Sequence, residues 1–314
     1  MEKKKEALPL KSILRNKNDK SPLLRSYTND VYNTKKEEED LADFETSDSS
    51  LYNPKAKSVK QYAYEEKKNK KFRASMEDFQ KIVDKVGKDP QNGYFSLFDG
   101  HGGTVVVEYV KDRLLTVFLA LCAKSNDIAK SLKKSFEIVD AELKKFKNIE
   151  NIGSTATVVF ITKETDVMLG TKKVAYCANI GDTRCVLLNS SGCKRLSNDH
   201  KCTDDSEAER IKKCGGSIIQ ERVFGKLALT RAFGDSEMKG FGVVATPTVN
   251  RVVLNESDKF IVLCSDGVWD VVDEEDLFYY ASQYDDAKEF AERIVDEALE
   301  NGSKDNISCI VIKL

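Results

Sequence analysis

The sequence predicts an α+β fold over residues 59–314, preceded by a tail, residues 1–58, that does not fold by itself. Three observations support this. From about residue 58 onward, short runs of β-branched, aromatic and aliphatic residues recur between Gly, Asn and Asp, the pattern of strands closed by turns. A smaller number of longer stretches carry apolar residues at helical spacing. Residues 1–58 show neither pattern: they are rich in Lys, Glu, Asp, Asn and Ser, include the acidic run 37–40, and offer too little apolar surface to offset the entropy of ordering, so disorder is expected there.

Strands are expected at 79–86, 94–98, 156–161, 173–179, 184–189 and 259–264, with 307–312 closing the chain; several are rich in the residue types that suit a pleated, half-buried surface. Helices are expected at 104–121 and 128–147. Another begins at Asp204, where Glu207 three positions on completes a cap-like pair, and stops at Gly215-Gly216. The clearest sets Ala287, Phe290, Ala291, Ile294, Val295 and Ala298 on one face, with Asp286, Glu289, Arg293 and Glu297 opposite, and Gly302 is placed to end it.

With 314 residues, 40% of them hydrophobic, the chain can build a sizeable core. Lys plus Arg number 50 against 52 Asp plus Glu, and a formal net charge of -2 provides no field to recruit nucleic acid or a membrane. The start Met1-Glu2-Lys3-Lys4-Lys5 lacks the apolar core of a signal peptide, and the most apolar helical stretch is too short to cross a bilayer. The expectation is a soluble, monomeric protein inside the cell, in cytoplasm or nucleus. Its 8 cysteines include no C-x-x-C pair and should stay reduced.

The informative feature is where acids fall. Asp99 ends the apolar run Tyr94-Phe95-Ser96-Leu97-Phe98 and enters Gly100-His101-Gly102-Gly103, which lets the backbone turn sharply. Asp266 likewise follows residues 260–265 and precedes Gly267, Asp182 follows Ala178-Asn179-Ile180-Gly181, and Asp305 lies just before the closing strand. Any one of these alone reads as a turn former. Together, with Glu77 and Asp78, carboxylates at the mouths of apolar strands would repel one another unless a cation neutralised them, and hard oxygen ligands point to magnesium or manganese.

Rival chemistries are removed by simple counts. The chain has 2 histidines, His101 and His200, too few for zinc sites built on several imidazoles or for histidine-rich binuclear metallophosphatases. No cysteine is followed six positions later by Arg, as cysteine-based phosphatases require, and the P-loop signature is missing.

Arg73-Ala74-Ser75-Met76-Glu77-Asp78, Phe98-Asp99-Gly100-His101-Gly102-Gly103, Gly153-Ser154-Thr155-Ala156, Gly181-Asp182-Thr183-Arg184 and Asp199-His200-Lys201 occur in this order. They are followed by Leu227-Ala228-Leu229-Thr230-Arg231-Ala232-Phe233-Gly234-Asp235, Ser265-Asp266-Gly267-Val268-Trp269-Asp270 and Lys304-Asp305-Asn306. In sequence and spacing this series resembles the type 2C metal-dependent serine/threonine protein phosphatases, from about residue 60 to residue 314.

The resemblance implies a four-layer α-β-β-α sandwich, two antiparallel sheets flanked by helices, with a metal centre at one edge. It implies two magnesium or manganese ions: Asp99 bridging both, Glu77 and the Gly100 carbonyl on one, Asp266 and Asp305 on the other, with Asp78 holding metal-bound water beside Glu77. Asp182 and Asp270, with Asp266, match a weaker third site. A hydroxide shared by the ions would attack phosphorus, Arg73 would bind the substrate phosphate, and His101, two residues after Asp99, would protonate the leaving serine or threonine oxygen. His200 resembles a position that shapes structure, Arg231 suits a buried ion pair with a nearby acid, and Trp269 suits the core. Thr183 and Thr230 stand where serine is commoner, and Cys202 where proline is usual.

Phosphoprotein substrates are expected. A catalytically silent scaffold is the alternative, disfavoured by the intact ligand set. A separate expectation concerns the tail, where Lys11-Ser12-Ile13-Leu14-Arg15-Asn16-Lys17 resembles the short motif by which an inhibitor grips type-1 protein phosphatase, Ile13 and Leu14 entering an apolar groove. The competing reading is a solvated arm.

Overall fold

The computed structural model describes residues 52–166 and 170–314. Strands β1 (Tyr52–Asn53), β2 (Gln61–Lys67), β3 (Asp78–Asp84) and β4 (Gly93–His101) come first, followed by helices α1 (Val105–Cys122) and α2 (Ile128–Leu143). Strands β5 (Gly153–Ser154), β6 (Ala156–Asp166), β7 (Gly170–Ile180), β8 (Arg184–Asn189) and β9 (Gly192–Arg195) lead to α3 (Asp205–Lys213). Then come β10 (Ile218–Ile219), β11 (Arg222–Val223), β12 (Phe233–Gly234), β13 (Thr248–Val253) and β14 (Asp258–Cys264). Helices α4 (Asp266–Trp269), α5 (Glu274–Gln283) and α6 (Ala287–Glu300) precede the closing β15 (Ile307–Lys313).

Two antiparallel sheets dominate. One has the order β1-β2-β15-β14-β8-β9; the other runs β12-β5-β4-β6-β7-β13, with β3 also paired to β4, and β10 and β11 form a separate hairpin. Strand β14 shows why they stack: Ile261 and Leu263 pack with Phe95, Leu97, Val159 and Ile310 between the sheets. The alternate residues Phe260, Val262 and Cys264 pack outward with Phe290, Ile294 and Trp269 of the helices. Burial on both faces explains a continuous apolar run in place of a polar alternation. On the other sheet, Phe118 of α1 meets Phe160 edge-on at 5.0 Å, and Phe136 of α2 stacks on Phe233 at 5.2 Å. The result is the expected sandwich of helices, sheet, sheet and helices.

Residues 52–58 belong to this fold and not to a tail. β1 pairs with β2, and buried Ser58 donates from its N–H and hydroxyl to Asp84 Oδ1, at 2.8 and 2.7 Å. The boundary expected between residues 58 and 59 falls earlier because Asp84, on β3, supplies acceptors that no local pattern reveals. The docking segment around Ser12-Ile13-Leu14-Arg15 lies outside the described residues. Among those described, no helix is long and apolar enough to cross a membrane.

At Asp204 the side chain accepts from the N–H groups of Ser206 and Glu207, capping α3 as expected. The reciprocal half of the pair is not made: Glu207 turns inward to Arg231, Arg210 and Thr230. A fully charged tertiary partnership outcompetes one backbone hydrogen bond.

Candidate active site

The register of β3 against β4 assembles the first half of the site. Asp78 stands directly opposite Asp99, and the ladder extends one step further, with Gly100 N–H donating to the Glu77 carbonyl at 3.0 Å. A Cβ on Gly100 would meet that carbonyl at 2.8 Å and Val107 at 2.9 Å, so only glycine lets the two strands close there. Glu77, Asp78, Asp99 and Gly100 are thus neighbours because a hairpin-like ladder ends at this point.

The second half is tied on by Asn306 and Thr155. Asn306 Nδ2 donates to the carbonyls of Lys68 and Ser75, at 2.8 and 3.1 Å, and its Oδ1 accepts from Glu77 N–H at 2.9 Å, so the loop carrying Arg73 is bound to the residue after Asp305. The β14–β15 ladder ends at Cys264 opposite Cys309, which brings Asp266 and Asp305 together. Gly267 fits there only because it has no Cβ, which would lie 1.9 Å from the Asn306 carbonyl. Thr155 exchanges two bonds with Asp99, and its hydroxyl is 2.5 Å from that of Thr183, next to Asp182.

Burial and mutual repulsion dominate the electrostatics. Asp99 is held well above the ordinary carboxylate range, first by burial, then by the charges of Asp266, Asp78, Asp182 and Asp305. Asp266 is raised similarly by burial and by Asp182 and Asp305. Asp78 is pushed up to about 6 by burial, partly opposed by hydrogen bonds from Ser308 and Ser265. Two cations answer this charge at the rim: Lys201 Nζ lies 3.1 Å from Asp182 and 3.9 Å from Asp270, and Arg73 pairs with Asp305.

With Asp305 turned to Arg73 and Asp182 to Lys201, no three His, Cys, Asp or Glu side chains among the described residues form a ready-made ligand group. The donor set still suits a hard divalent ion. Its carboxylates repel one another in a buried setting, and Asp78 Oδ2 is buried with no hydrogen-bond partner among the described residues.

A family model described as protein phosphatase 2C matches residues 62–307. The chain belongs to the protein phosphatase 2C family. Protein phosphatase 2C homolog 1 of Saccharomyces cerevisiae is 35% identical over 260 residues, covering 79% of this chain and 92% of that protein. Among solved structures, a sex-determining protein of C. elegans superposes with a TM-score of 0.71 at 27% identity, over 80% of this chain and 64% of that one. A serine-threonine phosphatase 2C from Toxoplasma gondii superposes with a TM-score of 0.70 at 20% identity, over 81% of this chain and 94% of that one, a likeness of fold. The chain is accordingly an enzyme, a protein phosphatase acting on phosphoproteins.

In this phosphatase His101 closes β4 opposite Gly153, and its Nε2 lies 2.8 and 3.0 Å from the two carboxylate oxygens of Asp235. His200 is buried, 2.9 Å from the Thr248 hydroxyl, and burial together with the Arg231 charge pushes it down to about 4. Arg231 is half of an ion pair with Glu207 at 2.7 Å. Trp269 is buried, donates from Nε1 to the Cys264 carbonyl at 3.0 Å, and carries Arg184 over its ring at 5.0 Å. Sequence reasoning assigned no role to Thr155, Asn306, Lys201 or Asp235. All four sit inside the phosphatase's recognisable blocks, which is the one signal that could have drawn attention to them.

Proposed function

We propose that this phosphatase depends on magnesium or manganese held by Asp99, Glu77, the Gly100 carbonyl, Asp266 and Asp305, with Asp78 supporting bound water. A weaker third ion would be held at Asp182 and Asp270 with Asp266. The observation that carries the reading is the convergence of Asp78, Asp99, Asp182 and Asp266 from four separate stretches of chain, buried, mutually repelling, raised in pKa and incompletely answered by Lys201 at the rim. Divalent ions bound there supply charge neutralisation and a water of lowered pKa.

The chain's own groups do the rest. Arg73, with its side chain 45% exposed, turns its planar fork from Asp305 onto two phosphate oxygens once Asp305 is otherwise engaged. That interaction strengthens as charge builds on the transferring phosphoryl group. His101, at the end of β4 beside the cluster, gives a proton to the serine or threonine oxygen as its bond to phosphorus breaks.

The test is turnover of a phosphothreonine peptide with manganese and with chelator, for wild type and Asp99→Asn, alongside calorimetric titration of manganese. The expected loss on chelation or in the variant is about 10³-fold, with heat of binding seen in wild type and weakened in the variant. Full activity in Asp99→Asn, or absence of any bound divalent ion, would remove the assignment.

A further inference from the structure

The carboxylate of Asp235 is almost wholly enclosed, its side chain 4% exposed, and its hydrogen-bond partner among the described residues is His101 Nε2. An acid placed merely to form a turn would bond to nearby backbone N–H groups. This one instead reaches across to a residue on another strand. We propose that Asp235 is the positioning residue for His101, holding the ring by Nε2 so that Nδ1 presents the proton to the leaving oxygen. The proposal rests on the reading of His101 as proton donor given above.

The surroundings are built to hold that pair. Asp235 itself has a φ of 46°, a left-handed conformation that non-glycine residues seldom adopt, immediately after Gly234 at 71°. The turn is held in that state from several sides. Asp235 N–H donates to the Ile152 carbonyl at 2.9 Å, and Gly234 pairs with Gly153 across β12 and β5. Gly234 N–H donates to Asp140 Oδ1 at 3.1 Å, and Lys239, bonded at 2.8 Å to the same oxygen, also donates to the Ala232 carbonyl. Backbone strain maintained by so many contacts needs a reason, and the carboxylate it delivers to His101 supplies one.

Gly153 provides an independent observation. A Cβ there would lie 2.1 Å from Asp235 Oδ2 and 2.6 Å from His101 Nε2. The side-chain space beside Gly153, the residue opposite His101 in the ladder, is therefore filled by the His101–Asp235 contact itself.

In the reaction the oxygen–phosphorus bond breaks with its electron pair going to the serine or threonine oxygen, which takes the proton from His101 Nδ1. The attacking water bonds to phosphorus and releases a proton to solvent, and His101 regains one from solvent. Asp235 holds the ring by Nε2 before and after the transfer.

The experiment compares kcat on a phosphothreonine peptide, whose alkoxide must be protonated, with kcat on p-nitrophenyl phosphate, whose leaving group needs no proton. The ratio of the two does not depend on how much of a preparation is folded. For His101→Gln the ratio should fall about 100-fold, and for Asp235→Asn about tenfold or more, with little further fall when the two are combined. Should Asp235→Asn not fold, Asp235→Ser reads the same ratio. A ratio unaltered in the Asp235 variants while His101→Gln lowers it overturns the positioning role. A ratio unaltered in His101→Gln overturns the reading of His101 on which that role stands.

Discussion

Two buried acidic regions of this phosphatase are built from the same chemical group and behave oppositely. Glu207 on α3 is met on every side: Thr230 Oγ1 at 2.6 Å, Arg231 at 2.7 Å and Arg210 at 2.5 Å. Burial works to raise its pKa, but the hydrogen bonds from Arg231, Arg210 and Thr230 outweigh it and hold the carboxyl far below its usual range. The remaining donors are occupied too, Arg231 by the Thr246 carbonyl and Arg210 by the carbonyls of Gly242 and Thr230. At Asp99 the neighbours are other acids and the shift runs upward. A buried charge that is fully answered within the chain serves the fold. One left unanswered marks a place where something from outside is to bind.

The largest effect that could break this contrast is at Glu207. Glu207→Ala leaves two guanidinium groups facing a cavity without their acid, and removing one partner of a buried ion pair costs about 3–5 kcal/mol. The midpoint of urea unfolding should move down accordingly with unchanged slope. A loss within about 0.5 kcal/mol would show that the region is solvated enough to dispense with its acid.

How much of this was legible beforehand depends on whether the signal is local. The run 260–264, buried on both faces, and the face of α6 from Ala287 to Ala298 can be read from composition and period alone. Strand β2, Gln-Tyr-Ala-Tyr-Glu-Glu-Lys, cannot: Tyr62 and Tyr64 enter the core while Glu65 lies outward on the same strand, and neither period is clean. α5 is equally obscure, burying only Leu277 and Ala281. In the site, the acids at strand ends were visible because they interrupt apolar runs. Asn306 and Thr155 were not, since they act on backbone groups far away in sequence, at Lys68, Ser75 and Asp99. Glu207 read as a cap partner for the same reason: Arg231, its true partner, is 24 residues on.

His200 sharpens the contrast from inside the compensated region. Its N–H donates to the Gly181 carbonyl and its own carbonyl accepts from Thr230, so it is fixed beside Arg231 as a neutral ring. The folded-state pKa, about 4, lies below the ordinary 6.5. Below pH 6.5 the unfolded chain therefore takes up a proton that the fold refuses, and stability present above that pH is lost as pH falls towards 4. Over that window the contribution is about 2–3 kcal/mol. Unfolding free energies at pH 7.5 and 4.5, compared between wild type and His200→Gln, isolate it, because the acid cluster is common to both. Parallel losses in the two proteins would mean that the ring is hydrated in the fold.

The smallest effect is the most discriminating, because its sign is opposite to that at Glu207. Asp99 has a folded-state pKa raised by burial and by neighbouring acids, so above the unfolded value the fold must bear the cost of its ionisation. In chelator, wild type should lose stability as pH rises from about 4 towards neutrality, and Asp99→Asn, which cannot ionise, should be more stable by about 1–2 kcal/mol at pH 7.5. Saturating manganese should then raise the melting temperature of wild type more than that of the variant, since a ligand that binds only the folded state stabilises it in proportion to its affinity. If Asp99→Asn instead lost stability as Glu207→Ala does, the acid at the end of β4 would be part of the fold's own compensation. Its claim to be reserved for a cation would then fall.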